Sequence, residues 1–208
     1  MPVIPQYTLH YFDLMGKAEV TRMLFNYAGV KFTDNRIKFE DWPALKEKQP
    51  FGQLPVLEVD GKVLFQSRAI EKFLARQFGL IGNDDFEAAQ VDQYILTIDD
   101  VMINFRPAFM EKDEAKKAEL MKKAFQEHGV PALKRFEGFL AKNGTGYFVG
   151  NGVTLADFAL YQFLFYIKKM SSESALDNYP ELKKFVQKMY GNEKLKPYLE
   201  TRSEKLLP

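Results

Sequence analysis

The chain contains no cysteine among its 208 residues. That absence excludes a disulfide framework, a thiolate metal site and a Cys-x-x-C redox centre, so any thiol chemistry must use a thiol brought by a ligand. Histidine is almost as scarce, and His10 and His128 have no ligand-like spacing. Asp99 and Asp100 are neighbours, but adjacent helix positions point about 100° apart and do not chelate one ion unaided. No metal requirement is expected. Neither charge dominates: 29 Lys and Arg face 28 Asp and Glu, for a formal net charge of +1. There is no basic stripe for nucleic acid and no polybasic membrane patch. Long apolar runs are missing too. The most apolar segment, LADFALYQFLFYIKK, carries Asp157 and ends in lysines, short of the roughly 20 apolar residues that span a bilayer. The N-terminal MPVIPQYTLH lacks the basic region and apolar run of a signal peptide. A cytoplasmic protein with a sizeable core is expected.

What is present divides into two patterns. In YTLHYF, residues 7 to 12, Tyr7, Leu9 and Tyr11 alternate with Thr8, His10 and Phe12 as in a strand. A helix follows from about Lys17 to Ala28, with Val20, Met23, Leu24, Tyr27 and Ala28 at helical spacing and Gly29 as its stop. KFTDNRI reads as a second strand. Asp41 is placed to cap a short helix with Pro43 in its first turn. VLEV and VLF flank the Asp60-Gly61 pair of a hairpin. Ser67 then opens a helix with Ile70, Phe73, Leu74 and Phe78 on one stripe. The order is β-α-β-α-β-β-α.

After FGLIGNDD no convincing strand pattern returns. Val91, Tyr94, Ile95, Ile98, Met102, Phe105 and Phe109 keep helical spacing until Pro107 disturbs the ladder. A second long helix is predicted from about Asp113 to Lys142. In GVTLADF, Thr154 reads as an N-cap with Asp157 as the capping-box acid and Val153 against Phe158 as a hydrophobic staple. The helix that follows is apolar on nearly every side, as a buried central helix is. Two shorter helices, around YPELKKFVQKMY and NEKLKPYLE, close the chain. The expected architecture is a two-domain protein, an α/β unit over residues 1–81 and an all-α unit over 82–208, with the crevice between them as the default ligand site.

Read alone, each candidate residue has two roles open to it. Tyr11 ends its strand either as half-buried packing or as a hydroxyl presented to a ligand. Pro55 in QPFGQLPVLEV enters a buried strand through either a trans or a cis bond, the cis form turning the backbone of Leu54 outward. Ser67 serves as an N-cap, and the same helix start offers free N–H groups to a carboxylate.

Taken together, YTLHYF, GVKFTDNRI, DWPALK, PFGQLPVLEVDG, QSRAI, QVDQYILTIDD and GVTLADF resemble, in order and spacing over essentially the whole chain, the sigma-class glutathione S-transferases. The nematode enzymes of this kind, the S-crystallins and haematopoietic prostaglandin D synthase are the related groups. The resemblance implies a thioredoxin-like glutathione-binding domain and a helical domain lining a second-substrate site. It implies glutathione as co-substrate, a homodimer, no metal, and transfer of the glutathione thiolate to hydrophobic electrophiles, with peroxide reduction as an added activity. By the same resemblance Tyr11 is catalytic, its hydroxyl donating to the glutathione sulfur. Trp42 and Lys46 hold the glycine end, Gln53 and Leu54 before a cis Pro55 pair with the cysteinyl backbone, and Gln66 and Ser67 clamp the γ-glutamyl group. Asp100 reaches the γ-glutamyl ammonium of the neighbouring subunit. Phe12, Leu14, Met102, Phe105 and Phe163 are expected to line the hydrophobic site, Phe163 being equally well a core residue.

The chain departs from that pattern in places. Lys17, by the same resemblance a glutathione-binding residue, stands where many sigma-class members have arginine, and a lysine does not make the same planar fork. The prostaglandin D synthase branch carries a further aspartate where Leu96 stands, and a pocket tryptophan in the region of Arg106, Pro107 and Ala108. Isomerase activity is therefore not expected. A carrier of haem or other flat apolar ligands and a structural crystallin are the alternative readings of the same fold.

Overall fold

The computed structural model describes residues 5–206. In chain order the first elements are β1 (Tyr7–Phe12), a 3₁₀ turn (Gly16–Ala18), α1 (Glu19–Ala28), β2 (Thr33–Ile37), α2 (Trp42–Leu45), β3 (Val56–Val59), β4 (Lys62–Phe65) and α3 (Ser67–Gln77). The helices that follow are α4 (Asp85–Met102), α5 (Arg106–Met110), α6 (Glu114–Ala124), α7 (Val130–Asn143), α8 (Leu155–Met170), α9 (Pro180–Tyr190) and α10 (Lys196–Thr201). By their contacts, the residues up to Gly79 form one unit together with those from Asn192 onward, and Leu80–Gly191 form the other. The last helix therefore joins the α/β unit, whereas the expected boundary at 81/82 places it with the helical one. Nothing in the periodicity of KPYLE says which core its apolar side chains enter.

In the first unit the sheet order is β2-β1-β3-β4. β1 and β2 are parallel, and the other pairs are antiparallel. The alternation in β1 is realised directly, with Tyr7, Leu9 and Tyr11 buried and their neighbours half-buried. Leu9 lies opposite Leu57 of β3, and both are fully buried. Asp60 and Gly61 both take positive φ, 48° and 78°, as a two-residue turn matched to strand twist requires. Gly29 ends α1 in the left-handed region, a conformation that costs glycine nothing. α1 and α3 pack on each other through stripes that include Met23, Leu24, Ile70 and Leu74, all without exposed surface. Ser67 is the first helical residue of α3, so the cap position falls to Gln66, which takes a φ of 72°. The expected Ser67 N-cap is thus displaced by one residue.

Among the described residues, the regular elements of the second unit are all helices. α8 is its buried centre, with Leu155 to Leu164 continuously buried. The Thr154–Asp157 capping box is present. The Asp157 carboxylate accepts from the Thr154 N–H at 2.7 Å, the Thr154 hydroxyl at 3.0 Å and the Phe148 N–H at 2.9 Å. The expected single helix over 113–142 is divided by a π turn at Phe125–Gly129. Pro131 explains the interruption, because it has no N–H to continue the ladder and its ring crowds the preceding turn. Among the described residues no helix is long and apolar enough to cross a membrane.

Burial pushes the Asp157 carboxyl up to about 6, against the pull of its donors. The folded-state value lies above the unfolded one, so this group's contribution to stability falls as pH rises from about 4 to about 6. Asp157→Ala strands two backbone donors, Phe148 N–H and Thr154 N–H, and is predicted to cost about 2–4 kcal/mol. Urea denaturation of both proteins from pH 4 to 7 checks both points: the variant should be weaker throughout and lack that share of the pH slope.

Candidate active site

The antiparallel ladder between β1 and β3 runs as far as His10 opposite Val56. The next position on β3 is Pro55, which has no N–H to offer, and its bond to Leu54 is cis. Tyr11 therefore stands at the point where the ladder stops. Beyond β1 the chain tightens into the 3₁₀ turn at Gly16–Ala18, which brings the Lys17 N–H to the Tyr11 hydroxyl at 3.0 Å. Because the phenolic oxygen accepts this bond, its proton remains for a second partner.

This turn needs glycine at its head. Gly16 has a φ of +44°, and a Cβ there would stand 2.7 Å from Tyr11 Cε1 and 2.6 Å from Leu14 Cδ1, colliding with the Tyr11 hydroxyl as well. Beneath the ring lies Arg22, with its guanidinium carbon 5.8 Å from the ring centroid. Its Nη1 donates to the carbonyl oxygens of Leu14 at 2.8 Å and Met15 at 3.3 Å. Its Nε donates to Asp34 on β2 at 3.0 Å. Burial raises the Tyr11 phenol above its ordinary value, while the Lys17 N–H and the Arg22 charge pull the other way. The hydroxyl therefore stays protonated and able to donate at neutral pH.

A pocket in the same unit is lined by Lys17, Gln53, Leu54, Pro55, Phe65, Gln66 and Ser67. Six of these are predicted ligand residues drawn from three separate stretches of the chain. The β1–α1 turn contributes Lys17, the approach to β3 contributes Gln53 to Pro55, and the β4–α3 junction contributes Gln66 and Ser67. Tyr11 does not line this pocket and adjoins it through Lys17. The left-handed Gln66 turns the chain at the pocket wall, and the first turn of α3 presents N–H groups with no intrahelical acceptor. Trp42 and Lys46 lie outside the pocket lining. The Trp42 ring meets Phe12 edge-on at 5.2 Å, and Phe12 stacks on Phe39 at 4.4 Å. The Lys46 stem runs beside Gly52, where a Cβ would be 3.5 Å from its Cε.

The remaining predicted residues belong to the helical unit, apart from Leu14. Asp100 is exposed on α4, and Met102 ends that helix half-buried. Phe105 and Phe163 are 0% and 1% exposed, and Phe163 packs on Phe136 with ring centroids 5.7 Å apart. Both are buried side chains, and for Phe163 this is the core placement that the sequence left equally open. Leu14 is nearly as closed, whereas Phe12 keeps partial exposure. Gly16, Arg22 and Phe65 escaped the sequence reading. A signal was present for Arg22, since AEVTR places a charge pair at i and i+3 inside an otherwise apolar helix stripe.

Comparisons with known proteins agree in both halves of the chain. Residues 7–76 match the family described as glutathione S-transferase, N-terminal domain, and residues 99–202 match glutathione S-transferase, C-terminal domain. The chain is 43% identical to glutathione S-transferase 1 of Ascaris suum over 203 residues, covering 96% of this chain and 98% of that one. Among solved structures it is similar to a rat hPGDS complexed with a quinoline, with TM-score 0.90, 32% identity, and coverage of 98% and 100%. It is also similar to a glutathione S-transferase of the hookworm Necator americanus described as monomeric, with TM-score 0.85, 38% identity, and coverage of 97% and 100%.

The Gly16 geometry yields a direct test. Gly16→Ala combines a strained φ with a collision against Tyr11 and is predicted to destabilise the protein by about 1–3 kcal/mol. Urea denaturation measures this, and an unchanged midpoint contradicts the close approach described.

Proposed function

This chain belongs to the glutathione S-transferase family, and we propose that it conjugates glutathione to apolar electrophiles, with the Tyr11 hydroxyl donating a hydrogen bond to the reacting sulfur. The observation that carries the reading is the gathering of Lys17, Gln53, Leu54, Pro55, Gln66 and Ser67 around one pocket, next to the N–H that holds the Tyr11 oxygen. The energetics are of the right size. A thiol with an ordinary pKa of about 8.5 is mostly protonated at neutral pH, and lowering it by one to two units takes about 1.4–2.7 kcal/mol. One hydrogen bond to a charged group contributes about 1.5–3 kcal/mol. A single phenol therefore suffices, and no histidine base is needed.

In this reading Gln53 and Leu54 present backbone to the cysteinyl part of glutathione. Gln66, Ser67 and the start of α3 take the γ-glutamyl carboxylate, and Trp42 and Lys46 take the glycine end. The thiol proton leaves to solvent. The sulfur then forms its bond to the electrophilic carbon, and in a substitution the leaving group departs with its electron pair. Phe12, half-buried and apolar, is proposed for the wall that receives the electrophile. Peroxide reduction by the same thiolate is a proposed second activity. Lys17 supplies its backbone N–H whatever its side chain, so the exchange of arginine for lysine keeps the positive charge, changes the donor geometry at the pocket and leaves the bond to Tyr11 in place.

A cytoplasmic homodimer is proposed, with Asp100 completing the partner's γ-glutamyl site. Phe51, 80% exposed with a φ of 60°, lies parallel to the Phe65 ring at 6.3 Å, and Val63 is exposed nearby in sequence. This apolar surface supports the dimer. Sedimentation should give twice the chain mass, and Asp100→Asn should raise the glutathione KM; a monomer with full glutathione affinity contradicts the assignment. Carriage of haem is the competing reading, favoured by tight haem binding with negligible conjugation.

Tyr11→Phe tests the mechanism. Loss of a charged hydrogen bond predicts a fall in kcat/KM of roughly ten- to a hundredfold at neutral pH with a chlorodinitrobenzene substrate. The loss should shrink as pH rises and the thiol ionises unaided. An unchanged rate at neutral pH contradicts the role of Tyr11.

A further inference from the structure

The segment after Asn192 carries side chains that the proposed chemistry does not use. Three of its residues reach the turn behind Tyr11. The Tyr198 hydroxyl donates to Glu19 Oε1 at 2.8 Å, and Arg202 Nη1 donates to the same oxygen at 3.1 Å. The Lys205 carbonyl accepts from the Met15 N–H at 2.8 Å. Glu19 is 1% exposed, Arg22 has no exposed surface, and the Arg202 side chain is 2% exposed, so this is a buried charge cluster and not a surface ion pair.

We propose that this C-terminal segment is a positioning device for Tyr11, acting through Glu19 and Arg22 on the turn that carries the Lys17 N–H. The connections run without a gap. Glu19 Oε1 holds Tyr198 and Arg202, and its Oε2 accepts from Arg22 Nη1 at 3.3 Å. The same Nη1 fixes the carbonyls of Leu14 and Met15. Met15 is thereby held at both ends of its backbone, its N–H by Lys205 and its carbonyl by Arg22. Gly16 and Lys17 follow at once, and the Lys17 N–H meets the Tyr11 oxygen. The Tyr198 phenol is held far above its ordinary value, first by burial and then by Glu19 beside it, so it remains a donor throughout the working range.

Charge makes the arrangement interdependent. Glu19 accepts from one phenol and two guanidinium groups, and Arg22 divides its donors between Glu19, Asp34 and the two carbonyls. Asp34 also accepts from Arg36 at 2.8 Å. Taking away one C-terminal donor leaves Glu19 with a greater demand on Arg22. The cheapest response is movement of Arg22 toward Glu19, and that loosens the Leu14 and Met15 carbonyls. The segment touches no reacting atom in this account, so its residues position the donor and do no chemistry.

The inference rests on the transferase reading, and one experiment separates the two. Glutathione binding is followed by thiolate absorbance across pH, together with the pH profile of kcat/KM, in wild type, Tyr198→Phe, Arg202→Gln, Arg202→Lys and a chain ending at Ser203. Near-ultraviolet circular dichroism establishes that each protein is folded, because loss of stability alone does not move a titration measured on folded protein. The expected result for Tyr198→Phe, Arg202→Gln and the shortened chain is an upward shift of the thiol midpoint by about 0.4–1.5 pH units. kcat/KM on the low-pH side should fall roughly two- to thirtyfold, with the glutathione KM little changed and partial recovery in Arg202→Lys. If Arg202→Gln does not fold, Tyr198→Phe, which loses a single hydroxyl, carries the test. Wild-type midpoints in folded Tyr198→Phe and in the shortened chain overturn the inference and leave the transferase reading standing. Absence of thiolate absorbance in the wild type overturns both.

Discussion

The hydrogen bond from the Lys17 N–H to the Tyr11 hydroxyl organises the first unit of this protein. It fixes the oxygen and leaves the phenolic proton for a ligand. Everything around it serves that geometry. Pro55 ends the β1–β3 ladder where Tyr11 begins to leave it, Gly16 permits a turn too tight for any side chain, and Arg22 binds the two carbonyls just before that turn. The cost is a guanidinium with no exposed surface. Such a group is tolerated only when carboxylates and carbonyls surround it.

The placement of the charges follows from this. Glu19 and Arg22 sit on α1 among Val20, Met23 and Leu24, all buried, where an apolar pair would pack as well or better. A buried ionic pair at such a position has value as a geometric constraint, since its hydrogen bonds have directions and apolar contacts do not. The thiol donor in turn is absent from the chain, which contains no cysteine. The protein's task is then to hold a tripeptide and tune its sulfur, a task suited to backbone groups, a neutral phenol and a helix start.

Much of this was legible in the sequence because it rests on short-range patterns. The period-two alternation of Tyr7, Leu9 and Tyr11 gives the face of β1, Asp60-Gly61 gives the hairpin, and Thr154 with Asp157 gives the start of α8. The family resemblance then carried Tyr11 and the pocket residues, which periodicity alone leaves undecided. Most of what was not legible depends on long-range packing. The shift of the α3 cap from Ser67 to Gln66 is a local adjustment to tertiary fit, whereas the π turn has a local cause in Pro131 that the helical pattern masked. Phe105 and Phe163 are apolar whether they face a core or a ligand, and composition does not distinguish the two. The docking of Tyr198 and Arg202 onto Glu19 spans most of the chain, and no spacing rule connects them.

The central claim is that the Tyr11 phenol holds the glutathione sulfur as a thiolate at neutral pH. The most direct measurement is the ultraviolet difference spectrum of glutathione on binding at that pH, compared between wild type and Tyr11→Phe at saturating ligand. The account predicts a thiolate band in the wild type that disappears from the variant while binding persists. A band of equal strength in the variant contradicts it.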